Sequence, residues 1–232
     1  MKTIICEKND AVRQAAEIVS GLLKEKPDAV LALACGETMA PLWAELSRAC
    51  REGACSLKDA RILCATELCG VSEEKSCRHA LTKGLIETTD ARKENCFFPD
   101  PDAPEQTDAR IRALGGLDLA VLGIGEDCHI GYNEPGTLFD TCTHIQKLTD
   151  RTKKQLLSRG FPEGELPERA VTMGVRTLTD ARKILLLAFG EAKAAAVFQM
   201  LYAKTTSYIP AAYLQIPPEV TVILDDAAAA RL

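Results

Sequence analysis

Proton transfer needs ionisable side chains held close together, and one stretch of this chain concentrates them: Gly123-Ile-Gly-Glu-Asp-Cys-His-Ile-Gly-Tyr-Asn-Glu-Pro-Gly136. Asp127 stands just before His129 in this stretch, and Glu134 follows in an Asn-Glu-Pro-Gly turn. A carboxylate beside an imidazole can orient the ring and tune its hold on a proton, so the pattern suits a general acid–base shuttle. One histidine does not make the ligand set of a catalytic zinc, and no metal is expected. A lone histidine is often only a hydrogen-bonded interior residue, but the density of polar groups in a glycine-rich loop favours chemistry here. His79, in a helical pattern, and His144, in a polar strand-like stretch, read as structural.

Two other loops offer anion-binding groups. Cys35-Gly-Glu-Thr-Met39 follows an apolar run and precedes a helical pattern. Backbone N–H groups at a helix start attract anions, and Thr38 can cap the helix or donate to a phosphate oxygen. A capped strand-to-helix turn explains the same residues, and the segment lacks the G-x-x-x-x-G-K-[ST] pattern of a P-loop. In Phe189-Gly-Glu-Ala-Lys193 a lysine enters the first turn of a helix, where the macrodipole disfavours a cation. A bound phosphate would give both lysine and dipole a partner; a solvated surface lysine is the alternative.

The elements that must position these loops alternate in kind. Short apolar runs at 29–34, 61–65, 95–98, 117–122, 184–189 and 220–224 read as strands. Amphipathic or polar helical patterns cover 10–24, 40–50, 76–86, 104–114 and 191–203. Strands apolar on both faces, separated by helices, predict a Rossmann-like α/β fold with a mostly parallel sheet and helices on both faces. No linker or repeat divides the chain, so residues 1–232 read as one domain. In such sheets ligands sit beyond the carboxyl ends of the strands, where the polar loops fall.

A net charge of −5 argues against nucleic acid and anionic membranes as partners, while leaving room for a local phosphate pocket. The start of the chain lacks a signal-peptide pattern and no stretch is long enough to span a bilayer, so a cytoplasmic protein is expected. The ten cysteines show neither a paired metal-binding spacing nor an export context, and most read as small, reduced, buried hydrophobes.

The motifs together resemble the glucosamine-6-phosphate deaminase and galactosamine-6-phosphate isomerase family, which is related to 6-phosphogluconolactonases. The resemblance runs from Lys26 to Thr38, through Leu117 to Gly136, and on through Thr172 to Ala181 and Gly190 to Lys193. The stretch from Ala203 to Leu214 is more similar to the galactosamine branch, and Asn133-Glu134-Pro135 after His129 is similar to the deaminases and isomerases rather than the lactonases. It implies that His129, assisted by Glu134 and Asp127, opens the ring of an amino-sugar 6-phosphate. It further implies that Gly36, Glu37, Thr38 and Lys193 surround the phosphate. An arginine joins them, with Arg159 the candidate and Arg169 the competitor. No cofactor is implied, and a homo-oligomer is compatible with the family.

The chain departs from the family at three places. Thr66 stands where the family has the aspartate that takes the C2 proton, leaving Glu67 or a water as the substitute base. Cys128 replaces a glycine, and Glu37 a small residue beside the phosphate. Three functions therefore stand: an isomerase/deaminase with an altered base, a lactonase-like hydrolase, and a non-catalytic sugar-phosphate binder.

Overall fold

The computed structural model describes residues 1–232. Its strands are β1 (Lys2–Ile5), β2 (Val30–Leu33), β3 (Arg61–Cys64), β4 (Thr66–Leu68), β5 (Cys96–Phe97), β6 (Leu119–Leu122), β7 (His144–Lys147), β8 (Arg169–Thr172), β9 (Lys183–Ala188) and β10 (Val220–Leu224). The helices are α1 (Lys8–Glu25), α2 (Ala40–Arg51), α3 (Cys77–Gly84), α4 (Glu105–Ala113), α5 (Asp150–Ser158), α6 (Val175–Thr179) and α7 (Ala194–Tyr202). A seven-stranded sheet runs β1-β10-β9-β6-β2-β3-β5, with every pairing parallel.

Strand alternation divides the interior in two. Leu31 and Leu33 join Ile62 and Val121 in a cluster with Ala15 and Val19 of α1 and Trp43 and Leu46 of α2. Val30 and Ala32 point the other way, into a cluster with Leu63, Ala120, Leu178 of α6 and Met200 of α7. Side chains in a strand alternate between faces, so a run apolar at every position must be covered twice. Each large aliphatic group so buried contributes about 1.5–3 kcal/mol. The expected parallel sheet with helices on both faces is therefore what the chain forms.

Register sets where the loops emerge. Leu33 pairs with Cys64 on one side and Val121 on the other, and Leu122 pairs with Leu186, so β2, β3, β6 and β9 end side by side. At the opposite edge buried Asp118 accepts from the Val30 N–H at 2.8 Å and pairs with Lys26 at 2.8 Å and Arg182 at 3.1 Å.

Three sequence expectations need adjustment. The helix at 76–86 stops at Gly84, before a 3-10 turn at Ile86–Thr88. The helix at 191–203 starts as a 3-10 turn, Glu191–Lys193, and becomes α-helical only at Ala194. A second, three-stranded antiparallel sheet, β4-β8-β7, was not expected as a sheet, although its β7 is the polar strand-like stretch at His144. Its strands are three or four residues long, too short for a periodic signal. Thr66 pairs with Thr172 in this sheet, so the chain leaves the main sheet just before Thr66.

Candidate active site

A cleft of about 380 Å³ opens where β2, β3, β6 and β9 end, lined by the loops that follow them and by one side of α5. Gly36, Glu37, Thr38, Thr66, His129, Arg159 and Lys193 all line it.

The loop after β6 is folded by its own backbone. The Gly125 N–H donates to the His129 carbonyl at 2.9 Å, and the Cys128 N–H to the Gly125 carbonyl at 3.0 Å. Cys128 takes φ +68°, a left-handed conformation that costs a non-glycine residue about 1–2 kcal/mol. Its buried thiol points to the Ala196 carbonyl at 3.8 Å and the Gln199 side chain at 3.6 Å. Asn133 is fully buried and donates to the carbonyls of Ile130 at 2.8 Å and Met173 at 2.9 Å, stapling the loop to the end of β8.

His129 lies flat against Gly125. A Cβ at Gly125 would fall 2.3–2.6 Å from the ring atoms Cε1, Nδ1 and Cγ. The contact includes the root of the ring, so no swing of its far end relieves it. Gly125→Ala is therefore expected to lower turnover about a hundredfold by displacing the imidazole, while the melting temperature moves little. Steady-state kinetics beside a thermal melt check this; undiminished turnover would mean the ring's placement is not critical.

Asp127 Oδ1 sits 2.7 Å from His129 Nδ1, and Glu134 Oε2 4.0 Å from the same nitrogen. The ring N–H does not point squarely at Asp127, leaving Nδ1 buried without an aligned partner. Burial pushes the Asp127 carboxyl up, but the adjoining His129 ring outweighs it and holds the group at about 2. Glu134, 2% exposed, accepts from the Thr149 N–H at 3.2 Å and its hydroxyl at 3.3 Å. Thr149 is the N-cap of α5, so that helix fixes Glu134 at its start and presents Arg159 just past its end. The ligand atoms of Asp127, His129 and Glu134 lie within 4.8 Å of one another. A 2.7 Å N···O separation is within hydrogen-bonding length, so Asp127 can orient the imidazole.

Lys193 reaches the cleft from the last residue of the 3-10 turn Glu191–Lys193, which leads directly into α7. Burial lowers its pKa; Glu126 partly restores it, while Arg159 pushes it further down. Two cations that face one space and raise each other's energy are relieved by an anion between them. Arg159 thus stands at the cleft, whereas Arg169 is exposed on β8 and does not line it. Thr38 does not cap α2, which begins at Ala40 with Met39 as its N-cap and no side chain closing it. Glu37 is exposed at the cleft's mouth.

Glu67 corrects an expectation. Its carboxylate accepts from the N–H groups of Leu68 at 2.9 Å, Cys77 at 2.7 Å and Arg78 at 2.8 Å. It is spent on the first turn of α3 and does not line the cleft, so it cannot stand in as the base. Thr66 does line the cleft, in a corner with three thiols. Its hydroxyl is 3.5 Å from Cys77 Sγ, and Cys35 Sγ is 3.3 Å from Cys64 Sγ. Hydrogen bonding within the cluster, together with burial, raises the Cys35 pKa well above the usual thiol range, which makes Cys35 no base either. Among the polar residues of the cleft, sequence reasoning did not single out Lys8, Glu126, Tyr132, Gln155 or Ser158. Only the position of Lys8, at the first residue of α1, carried a signal, and a surface lysine at a helix start is commonplace.

The family described as glucosamine-6-phosphate isomerases/6-phosphogluconolactonase matches residues 8–223 of this chain. A glucosamine-6-phosphate deaminase of Bacillus velezensis is 36% identical over 239 aligned residues, covering 99% of each chain. One of Clostridioides difficile is 33% identical over 242, covering 100% of this chain and 97% of its own. A solved monomeric glucosamine-6-phosphate deaminase superposes with a TM-score of 0.96 at 33% identity over 100% of both chains. A 6-phosphogluconolactonase of Trypanosoma brucei, 16% identical with a TM-score of 0.78 over 100% of this chain and 98% of its own, shares the fold.

Proposed function

Because the chain belongs to the glucosamine-6-phosphate isomerase/6-phosphogluconolactonase family, we propose that it opens the ring of glucosamine 6-phosphate and, with one water consumed, converts it to a ketose 6-phosphate and ammonia. The observation that carries this reading is the His129–Asp127 contact of 2.7 Å on one wall of a cleft that also holds Lys193 and Arg159. His129 shuttles the ring proton, Asp127 orients the imidazole, and Glu134 sits close enough to respond to its charge. Lys193 and Arg159 hold the phosphate with the loop of Gly36, Glu37 and Thr38. With Glu67 committed to α3, the C2 proton passes to a water held at Thr66, a much weaker base than a carboxylate. Slow turnover follows.

Ammonia release from glucosamine 6-phosphate tests the reading, with galactosamine 6-phosphate as comparator. The named relatives support the gluco substrate, and the resemblance over 203–214 supports the galacto one. No ammonia from either at millimolar concentration, with folded protein, overturns the proposal. Lactone hydrolysis is the second reading, because it needs no C2 base and Thr66 does not count against it. Hydrolysis of 6-phosphogluconolactone without ammonia release would favour it, and ligand-induced stabilisation without any product would favour a non-catalytic binder.

A solved relative of matching length is monomeric, which supports a site built from one copy. No helix is long and apolar enough to cross a membrane. Lys193→Ala is expected to weaken inorganic phosphate binding at least about tenfold, the worth of a charge-assisted hydrogen bond. Calorimetric titration measures it, with Arg169→Ala, outside the cleft, expected to bind like the unaltered protein.

A further inference from the structure

Tyr132 has a buried polar group that neither the fold nor the steps above make use of. The residue is 8% exposed and is the one buried tyrosine of the chain's four. Its backbone is fixed: the N–H donates to Thr172 Oγ1 at 3.1 Å, and Gly131 before it adopts φ +60° with Thr66 and Thr172 packed against it. Its ring belongs to the buried cluster that includes Leu68, Cys77 and Leu156, and its centroid is 6.4 Å from that of His129.

The hydroxyl is different. It makes no hydrogen bond within the chain, yet it is not one of the sealed unpaired atoms, which are His129 Nδ1, Asn133 Oδ1, Thr143 Oγ1 and Gln155 Nε2. It therefore opens onto the cleft that the residue lines. Buried tyrosine hydroxyls normally have a partner, because an unmet one forfeits about 1–3 kcal/mol. Burial raises the phenol's pKa well above its usual value, and the neighbouring Cys77 and Cys35 add to this while Arg159 opposes it. The phenol thus lies beside the thiols of the Thr66 corner, stays protonated, and acts as a donor.

We propose that Tyr132 is a substrate-contacting residue whose phenol donates a hydrogen bond to an oxygen of the opened sugar phosphate at the Thr66 corner. The contact rests on the sugar-phosphate reading above and deepens it. It supplies a donor where the C2 proton leaves and negative charge moves onto the substrate's oxygens, so it strengthens as the reaction proceeds. No bond to the phenol forms or breaks.

Tyr132→Phe removes only the oxygen, which no group in the chain needs, so the fold should be retained. The expected result is a loss of about tenfold or more in kcat/KM for ammonia release. A similar loss is expected in affinity for the amino alditol 6-phosphate, the reduced open-chain sugar that cannot isomerise. Inorganic phosphate should bind both proteins equally. Values within twofold for both sugar readouts overturn the inference, and so does an equal loss for inorganic phosphate, which would place the phenol on the phosphate. If the unaltered protein releases no ammonia, the deaminase reading fails. The alditol comparison then decides the contact alone, and failure of the unaltered protein to bind the alditol overturns both. A second measurement needs no variant: with 13C-labelled tyrosine, the Tyr132 ring resonance should move on adding the alditol and stay on adding inorganic phosphate.

Discussion

Thr66→Asp is expected to raise the rate of ammonia release about a hundredfold, the low to middle range for a positioned general base. Thr66 already faces the cleft, is 2% exposed, and is held by pairing with Thr172 on β8. Aspartate is close to threonine in volume, so the corner can take it without rebuilding β4. Among the Cys35, Cys64 and Cys77 thiols and largely shielded from bulk solvent, the new carboxylate would have a raised pKa, which brings its basicity closer to neutral pH. The same burial should lower stability by about 1–3 kcal/mol, seen as a drop in melting temperature. Thr66→Asn has the shape without the base and should give no gain. A gain with asparagine, or none with aspartate, would show that loss of the carboxylate does not limit this protein.

His129→Ala should lower ammonia release about a thousandfold, because it removes the only imidazole in the cleft. The fold should survive, since the loop is held by Asn133, by backbone bonds around Gly125 and by the Glu134–Thr149 contacts rather than by the ring. The variant also has a pH signature. Asp127 at about 2 contributes stability that is complete above the ordinary carboxylate value, about 4, and is lost as pH falls through about 2. Without the ring, Asp127 should titrate nearer its ordinary value, so the variant loses less stability across that interval than the unaltered protein. Denaturant melts at a series of acid pH values measure the difference, and parallel curves would falsify the coupling between Asp127 and His129.

The readable part of this protein was the part written locally. Runs such as Leu119–Leu122 and Lys183–Ala188 are apolar at nearly every position, and only a sheet covered on both faces buries such runs. Parallel strands of that kind end together, so the loops holding His129, Thr38 and Lys193 had to converge, and they do. Which of Arg159 and Arg169 faces the cleft was not a local matter. It was decided by α5, whose start is tied to Glu134 and whose end presents Arg159 to the cleft.

What the tertiary structure decided were the directions of side chains at the break between β3 and β4. Thr66 and Glu67 are neighbours in sequence and both buried, yet one faces the cleft and the other caps α3. The difference comes from antiparallel pairing with β8, about a hundred residues away in the chain, and no local pattern encodes a pairing across such a separation. Tyr132 was hidden for the same reason. A tyrosine in an apolar context reads as core, and its ring is core. Only the packing of β8, α3 and α5 around it shows that its hydroxyl is left facing the cleft. Composition and periodicity determine which residues are buried; the contacts between distant segments determine what a buried polar atom meets.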